Sequence, residues 1–164
     1  MSDAHDRLIE LLDAKGADYR VIDHPPEGRT EAVSALRGHG TEQAAKCVIV
    51  MVKLGKKTTR HVLAVVPGNR RVDLGGLKRL LGGSYAGFAS REVAERLAGS
   101  VSGTILPFAW HPELELVMDP ELAAQPELYF NAARLDRSVA LATGDYLALA
   151  QPRLERIAEA EASS

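Results

Sequence analysis

The sequence predicts a mixed α/β (α+β) fold, a mostly antiparallel, barrel-like β-sheet surrounded by helices. Three observations carry this expectation. Two apolar runs, Lys46–Lys53 and His61–Val66, flank the turn Gly55-Lys56-Lys57. Neither run alternates apolar with polar residues, so they read as a central β-hairpin buried on both faces. Helical and strand patterns are interleaved irregularly along the chain, which argues against a doubly wound parallel sheet. The chain has 164 residues, 46% hydrophobic and 26% charged. That is the size and make-up of one domain, residues 1–164, able to bury an ordinary core without disulfides or metal.

The elements follow in order. Leu8, Ile9, Leu11 and Leu12 share one face of a helix over Asp6–Ala14, which Gly16 stops. Tyr19–Ile22 is a short strand. His24-Pro25-Pro26-Glu27-Gly28 breaks regular structure, and Thr30 is expected to cap a helix over Glu31–Leu36, closed by Gly38 or Gly40. After the hairpin, Asp73 caps a helix through Leu81, and Ser90 caps a second, Arg91–Ala98, ended by Gly99. Glu113–Met118, Leu128–Asn131 and Ser138–Ala142 read as strands, the last two joined by a turn at Leu135-Asp136-Arg137. Gly144–Ala150 and Pro152–Ala160 are expected to be helical, with the last few residues frayed.

Bulk properties exclude several classes. A net charge of −2 and a pI near 6.2 do not describe a nucleic-acid coat, so any RNA contact must come from a local patch. A single cysteine forms no internal disulfide. The polar, acidic start Met1-Ser2-Asp3-Ala4-His5-Asp6 is not a signal peptide, and the apolar runs Cys47–Val52 and Val62–Pro67 are too short to span a bilayer. A cytoplasmic protein without membrane association is expected.

Two features point to chemistry. The stretch Gly99-Ser100-Val101-Ser102-Gly103-Thr104-Ile105-Leu106-Pro107-Phe108 mixes turn formers with large apolar residues. It reads either as a stiff, partly buried loop with backbone N–H groups facing a pocket, or as a glycine-rich turn between core strands. Lys46 opens the most apolar strand, where a lysine either snorkels to water or offers a compact cation to a phosphate or carboxylate. Cys47 lacks any cysteine-enzyme signature. His5, His24, His39, His61 and His111 show no metal-ligand spacing. His61 leads a core strand, and His24 stands where it can line a pocket mouth. Asn131 ends a strand as a turn former or a substrate-orienting amide. No nucleophile elbow, P-loop or dinucleotide fingerprint occurs, and neither metal nor cofactor is implied.

These pieces in this order resemble the YbaK/ProX family, in particular its YeaK-like branch, the free-standing relatives of the prolyl-tRNA synthetase editing domain. The resemblance rests on Ala45-Lys46 opening the hairpin, on the GxxxP loop Gly103-Thr104-Ile105-Leu106-Pro107 and on Asn131-Ala132. It extends from about Leu8 to Pro152. Gly16-Ala17-Asp18-Tyr19-Arg20-Val21 and Asp145-Tyr146-Leu147 carry the branch likeness. One departure is Ala133, where relatives often have glycine.

The resemblance implies hydrolysis of the ester in mischarged aminoacyl-tRNA. Lys46, Gly103 and Pro107 would be the catalytic positions. Lys46 would hold the tRNA 3′ end, and the loop's backbone would position the aminoacyl carbonyl. A ribose hydroxyl of the substrate would help activate water. Thr30, Ser102, Thr104, Ile105, Asn131 and His61 are the expected substrate-binding residues. The first three offer hydroxyls to pair with a serine or threonine side chain, since an apolar pocket discriminates poorly against one hydroxyl. Serine, threonine and alanine are the candidate amino acids. The implied partners are the aminoacyl-tRNA 3′ end and an aminoacyl-tRNA synthetase, with the protein a monomer or weak dimer. The alternative is a module that binds a tRNA end or a synthetase without turnover.

Overall fold

The structure is a computed structural model in which residues 3–160 are described. The fraying expected at the C-terminal end lies outside them. In chain order the elements are α1 (Asp3–Ala14), β1 (Tyr19–Asp23), α2 (Thr30–Arg37), β2 (Ala45–Leu54), β3 (Thr58–Pro67), α3 (Leu74–Leu81), β4 (Tyr85–Phe88), α4 (Arg91–Ala98), β5 (Leu114–Met118), α5 (Pro120–Ala123), β6 (Glu127–Arg134), β7 (Arg137–Ala142), α6 (Thr143–Ala150) and β8 (Arg153–Leu154). A 3-10 turn, Thr41–Gln43, precedes β2.

Two sheets form. One has five strands in the order β4-β2-β3-β5-β8, and the other has three in the order β1-β7-β6. All neighbours are antiparallel except β3 with β5 and β5 with β8. The expected barrel-like sheet is therefore two antiparallel-rich sheets, joined by a bridge between Ala44 and Tyr129.

The hairpin shows why its strands lack polar alternation. Leu63 and Val65 of β3 enter a core shared with Leu128, Phe130, Val139 and Leu141 of the other sheet, closed by Leu8 and Leu12 of α1. The intervening Val62, Ala64 and Val66 enter a second core with Leu77 and Leu81 of α3. Successive side chains point to opposite faces, and both faces are covered. Each fully buried valine or leucine contributes about 1.5–3 kcal/mol, so neither face tolerates a polar residue cheaply.

Local signals set most boundaries. Asp73 accepts from the Gly76 N–H and Ser90 from the Val93 N–H, as N-caps do. Thr30 is not a cap. It is the first residue of α2, whose N-cap position is Arg29, and no side chain caps it. The helix expected over Pro152–Ala160 is absent. Gln151 ends α6 in the left-handed region, and the chain then runs extended as β8 beside β5. Tertiary hydrogen bonds outweigh propensity there. Asp119 Oδ2 accepts from the N–H groups of Ile157 and Ala158 at 2.9 and 2.8 Å, and the Ile157 carbonyl accepts from Asp73 N–H at 2.7 Å. The edge strand β4 was not legible in the sequence, because its Tyr85 and Phe88 face solvent.

Candidate active site

A cavity of about 90 Å³ lies between the start of β2, α2, β6 and the loop after α4. Gly28, Thr30 and Arg37 line it from one side, Ala45, Lys46 and Cys47 from β2, Gly103 and Ile105 from the loop, and Tyr129, Phe130 and Asn131 from β6. An open groove of about 520 Å³ adjoins it, sharing Thr30 and Lys46 and adding Arg29 and Gly68.

Lys46 stands where cavity and groove meet. Its Nζ donates to the Arg70 carbonyl. Half-burial, and then the charge of Arg71, lower its pKa from the ordinary lysine value. No carboxylate pairs with it among the described residues. An ammonium with two further donors and no counter-ion is suited to an anionic chain passing through the groove.

The loop from Gly99 to Phe108 is held along its length. Glu95 Oε2 accepts from the Ser102 N–H at 2.8 Å, Thr104 Oγ1 donates to the Val101 carbonyl at 2.7 Å, and the buried Tyr146 hydroxyl donates to the Pro107 carbonyl at 2.7 Å. Gly103 has φ +88°, and a Cβ there would lie 3.2 Å from the Gly28 Cα, so both conformation and close approach favour glycine. The N–H groups of Gly103 and Ile105 meet no acceptor among the described residues. Both residues line the cavity, so two backbone donors remain for a ligand or water.

Asn131 is 6% exposed and fully engaged. Its Nδ2 donates to the carbonyls of Glu27 and Gly103, both at 2.9 Å. Its Oδ1 accepts from Arg37 Nη2 at 2.8 Å and from Ser138 Oγ at 2.9 Å. All of its amide valences are taken by the protein, so its part is to place the loop rather than to grip a ligand.

The structure thus gathers Lys46, Gly103, Ile105, Thr30 and Asn131 around one cavity and leaves four expected residues outside its lining. Ser102 is exposed on the loop. The Thr104 hydroxyl is buried and taken by Val101. Pro107 acts at the loop's far end through Tyr146. His61 pairs with Met51, five positions along β3 from Val66, which faces Lys46. At about 3.3 Å per residue His61 lies well along the strand from Lys46, and it does not line the cavity.

Arg37 escaped the sequence reading. A basic residue in the last turn of a helix normally answers the helix dipole in water. Here it turns inward, because Ser138 and Asn131 on the neighbouring sheet accept from it. Burial lowers its pKa to about 10. Only contacts of 94 and 101 residues' separation betray this placement, and local spacing carries no such signal. Cys47 lines the cavity, its Sγ facing the Ala45 carbonyl, and burial pushes its thiol well above the usual range.

A small cavity lined by hydrogen-bond donors opens on a groove, with the Lys46 ammonium where the two meet. The chain belongs to the aminoacyl-tRNA editing domain family, which matches residues 24–149. It is 46% identical over 151 residues to the Multifunctional Ser/Thr-tRNA deacylase ProXp-y of Escherichia coli K12, covering 92% of this chain and 90% of that protein. It is 25% identical over 127 residues to the Prolyl-tRNA editing protein ProX of Acetoanaerobium sticklandii, covering 75% and 76%. The crystal structure of a candidate trans-editing enzyme for prolyl tRNA synthetase superposes with a TM-score of 0.79 at 23% identity, covering 98% of this chain and 99% of that one, and shares the fold.

Proposed function

We propose that this protein is a trans-editing aminoacyl-tRNA deacylase, hydrolysing the ester of tRNA mischarged with a small amino acid, serine or threonine foremost. The observation that carries the reading is the pair of unengaged backbone N–H groups, Gly103 and Ile105, at a cavity whose mouth holds Lys46. The relative at 46% identity is named for seryl and threonyl esters, which supports the choice of amino acid.

The chemistry asks little of side chains. An aminoacyl ester is already activated. Water adds to its carbonyl carbon, the acyl–oxygen bond breaks, and the proton passes to the ribose oxygen, leaving a free amino acid and an uncharged tRNA. Backbone donors fixed in place stabilise the developing oxyanion without reorganising. The 3′ end, held in the groove by Lys46, brings ester and water together. On the family pattern, a ribose hydroxyl of the terminal adenosine orients the water. We propose further that the protein works in the cytoplasm on charged tRNA, as a monomer or weak dimer, alone or docked on a synthetase.

The test is deacylation of Ser-, Thr- and Ala-tRNA by wild type and Lys46→Ala. Hydrolysis that falls at least tenfold in the variant supports the reading. Rates equal to spontaneous hydrolysis on all three esters overturn it and favour a binding module.

A further inference from the structure

Resting on the deacylase reading, we infer that Arg37 is the residue that selects hydroxyl-bearing aminoacyl groups. The argument is one of elimination among the polar groups at the cavity. The hydroxyls of Ser102 and Thr104 do not line it. Asn131 has no free donor or acceptor, as its four partners show, and the Tyr129 hydroxyl is taken by Glu127 and Arg20. Lys46 lies at the mouth, reaching the Arg70 carbonyl. Thr30 belongs to both cavity and groove, and so also stands at the mouth. Arg37 lines the cavity and not the groove.

Its guanidinium has donors to give. Of five N–H bonds, three meet neutral acceptors. Nε donates to Ser138 Oγ at 2.7 Å, Nη2 to Asn131 Oδ1 at 2.8 Å, and Nη1 faces His39 Nε2 at 3.4 Å. No carboxylate pairs with it among the described residues. Two N–H donors are left, on a planar group oriented by its other bonds, at a cavity wall. A serine or threonine hydroxyl oxygen would accept from them. An alanyl group leaves them unsatisfied, which is how a hydrogen-bonding site rejects an analogue that lacks the partner.

The experiment is single-turnover deacylation of seryl-, threonyl- and alanyl-tRNA, enzyme in excess so that slow alanyl hydrolysis is followed, by wild type, Arg37→Met and Arg37→Lys. Thermal midpoints are measured alongside. Arg37→Met is expected to lower the seryl and threonyl rate constants at least tenfold more than the alanyl one. Should Arg37→Met fail to fold, Arg37→Lys carries the test. It keeps the cation but not the planar donor array, and is expected to lose severalfold of the seryl-over-alanyl preference. An equal fall on all three esters overturns the inference, because Arg37 then only places the loop through Asn131. Seryl rates that are unchanged overturn it too. A wild type inactive on every ester overturns the deacylase reading itself, and this inference with it.

Discussion

The amide of Asn131 donates to the carbonyl of Gly103 at 2.9 Å, joining β6 to a loop 28 residues distant in sequence. The same nitrogen reaches the Glu27 carbonyl, 104 residues away. One buried side chain therefore holds the Pro/Gly break and the Gly-rich loop in register across the cavity. In Asn131→Ala, two carbonyls, an Arg37 donor and the Ser138 hydroxyl lose their partner. Each buried unsatisfied group costs about 1–3 kcal/mol. With partial relief by water, we expect roughly 2–4 kcal/mol of destabilisation in urea unfolding, together with loss of deacylation. A change below about 1 kcal/mol would mean that the amide does not hold the loop.

Gly103→Ala attacks the same junction from the backbone side. The left-handed conformation costs an L-residue about 1–2 kcal/mol. The added Cβ also meets the Gly28 Cα at 3.2 Å, so one of the two backbones must give by a few tenths of an ångström. The loop must shift, and the Gly103 and Ile105 N–H groups with it. Deacylation is expected to fall at least tenfold while the thermal midpoint drops modestly. Full activity in Gly103→Ala would remove these donors from the mechanism.

The contrast between Thr30 and Asp73 shows what was legible in the sequence. Caps, glycine stops and the two-faced hairpin rest on neighbours within a few residues, and Asp73, Ser90 and the hairpin read correctly. Thr30 looks like a cap by the same rule, yet the helix begins on it, since the residue before it already adopts the extended cap geometry. The strap over Pro152–Ala160 has a helical composition, but its backbone is tied by Asp119, a residue 38 positions upstream of Ile157. In the site, Lys46 and the loop stand out by local composition and by resemblance. Arg37 does not, because what makes it unusual is the identity of its distant acceptors. The loop's composition suggests Ser102 and Thr104 as cavity hydroxyls, whereas Thr104 is consumed by the Val101 carbonyl and Ser102 stands exposed outside the cavity lining.

His39 should give the fold a pH dependence. Its ring stacks on Tyr129 with centroids 3.7 Å apart. Its Nδ1 lies 2.8 Å from the Gly40 carbonyl. A carbonyl only accepts, so the proton sits on Nδ1, and Nε2 presents its lone pair to Arg37. Burial first, and the Arg37 charge after it, lower the His39 pKa from 6.5. The folded state thus resists the proton that the unfolded state takes up. The stabilisation is complete above the unfolded value of 6.5 and is lost as pH falls from there toward the lowered folded pKa. His39→Phe keeps the stacking and removes the titration. Unfolding free energies measured between about pH 7.5 and 5 should decline less in His39→Phe than in wild type. Identical slopes would assign the pH dependence elsewhere.

Ala133 sits at φ 60°, within the β-bulge that separates Asn131 from Arg134 in the β6–β7 register. Glycine adopts this conformation freely, and three magnitudes decide what Ala133→Gly does. Relief of the left-handed strain favours glycine by about 1–2 kcal/mol. The greater freedom of glycine in the unfolded chain opposes it by about 0.4–1 kcal/mol. The Ala133 methyl packs against the main core, and removing a methyl costs up to about 0.8 kcal/mol. The terms nearly cancel, so Ala133→Gly should lie within about 1 kcal/mol of wild type in denaturant unfolding, with activity retained. Ala133→Val has no such compensation. A β-branched residue in the left-handed region is a true outlier, so a loss of about 2 kcal/mol or more is expected. If valine were tolerated as well as glycine, the left-handed backbone at this bulge would not be what constrains the position.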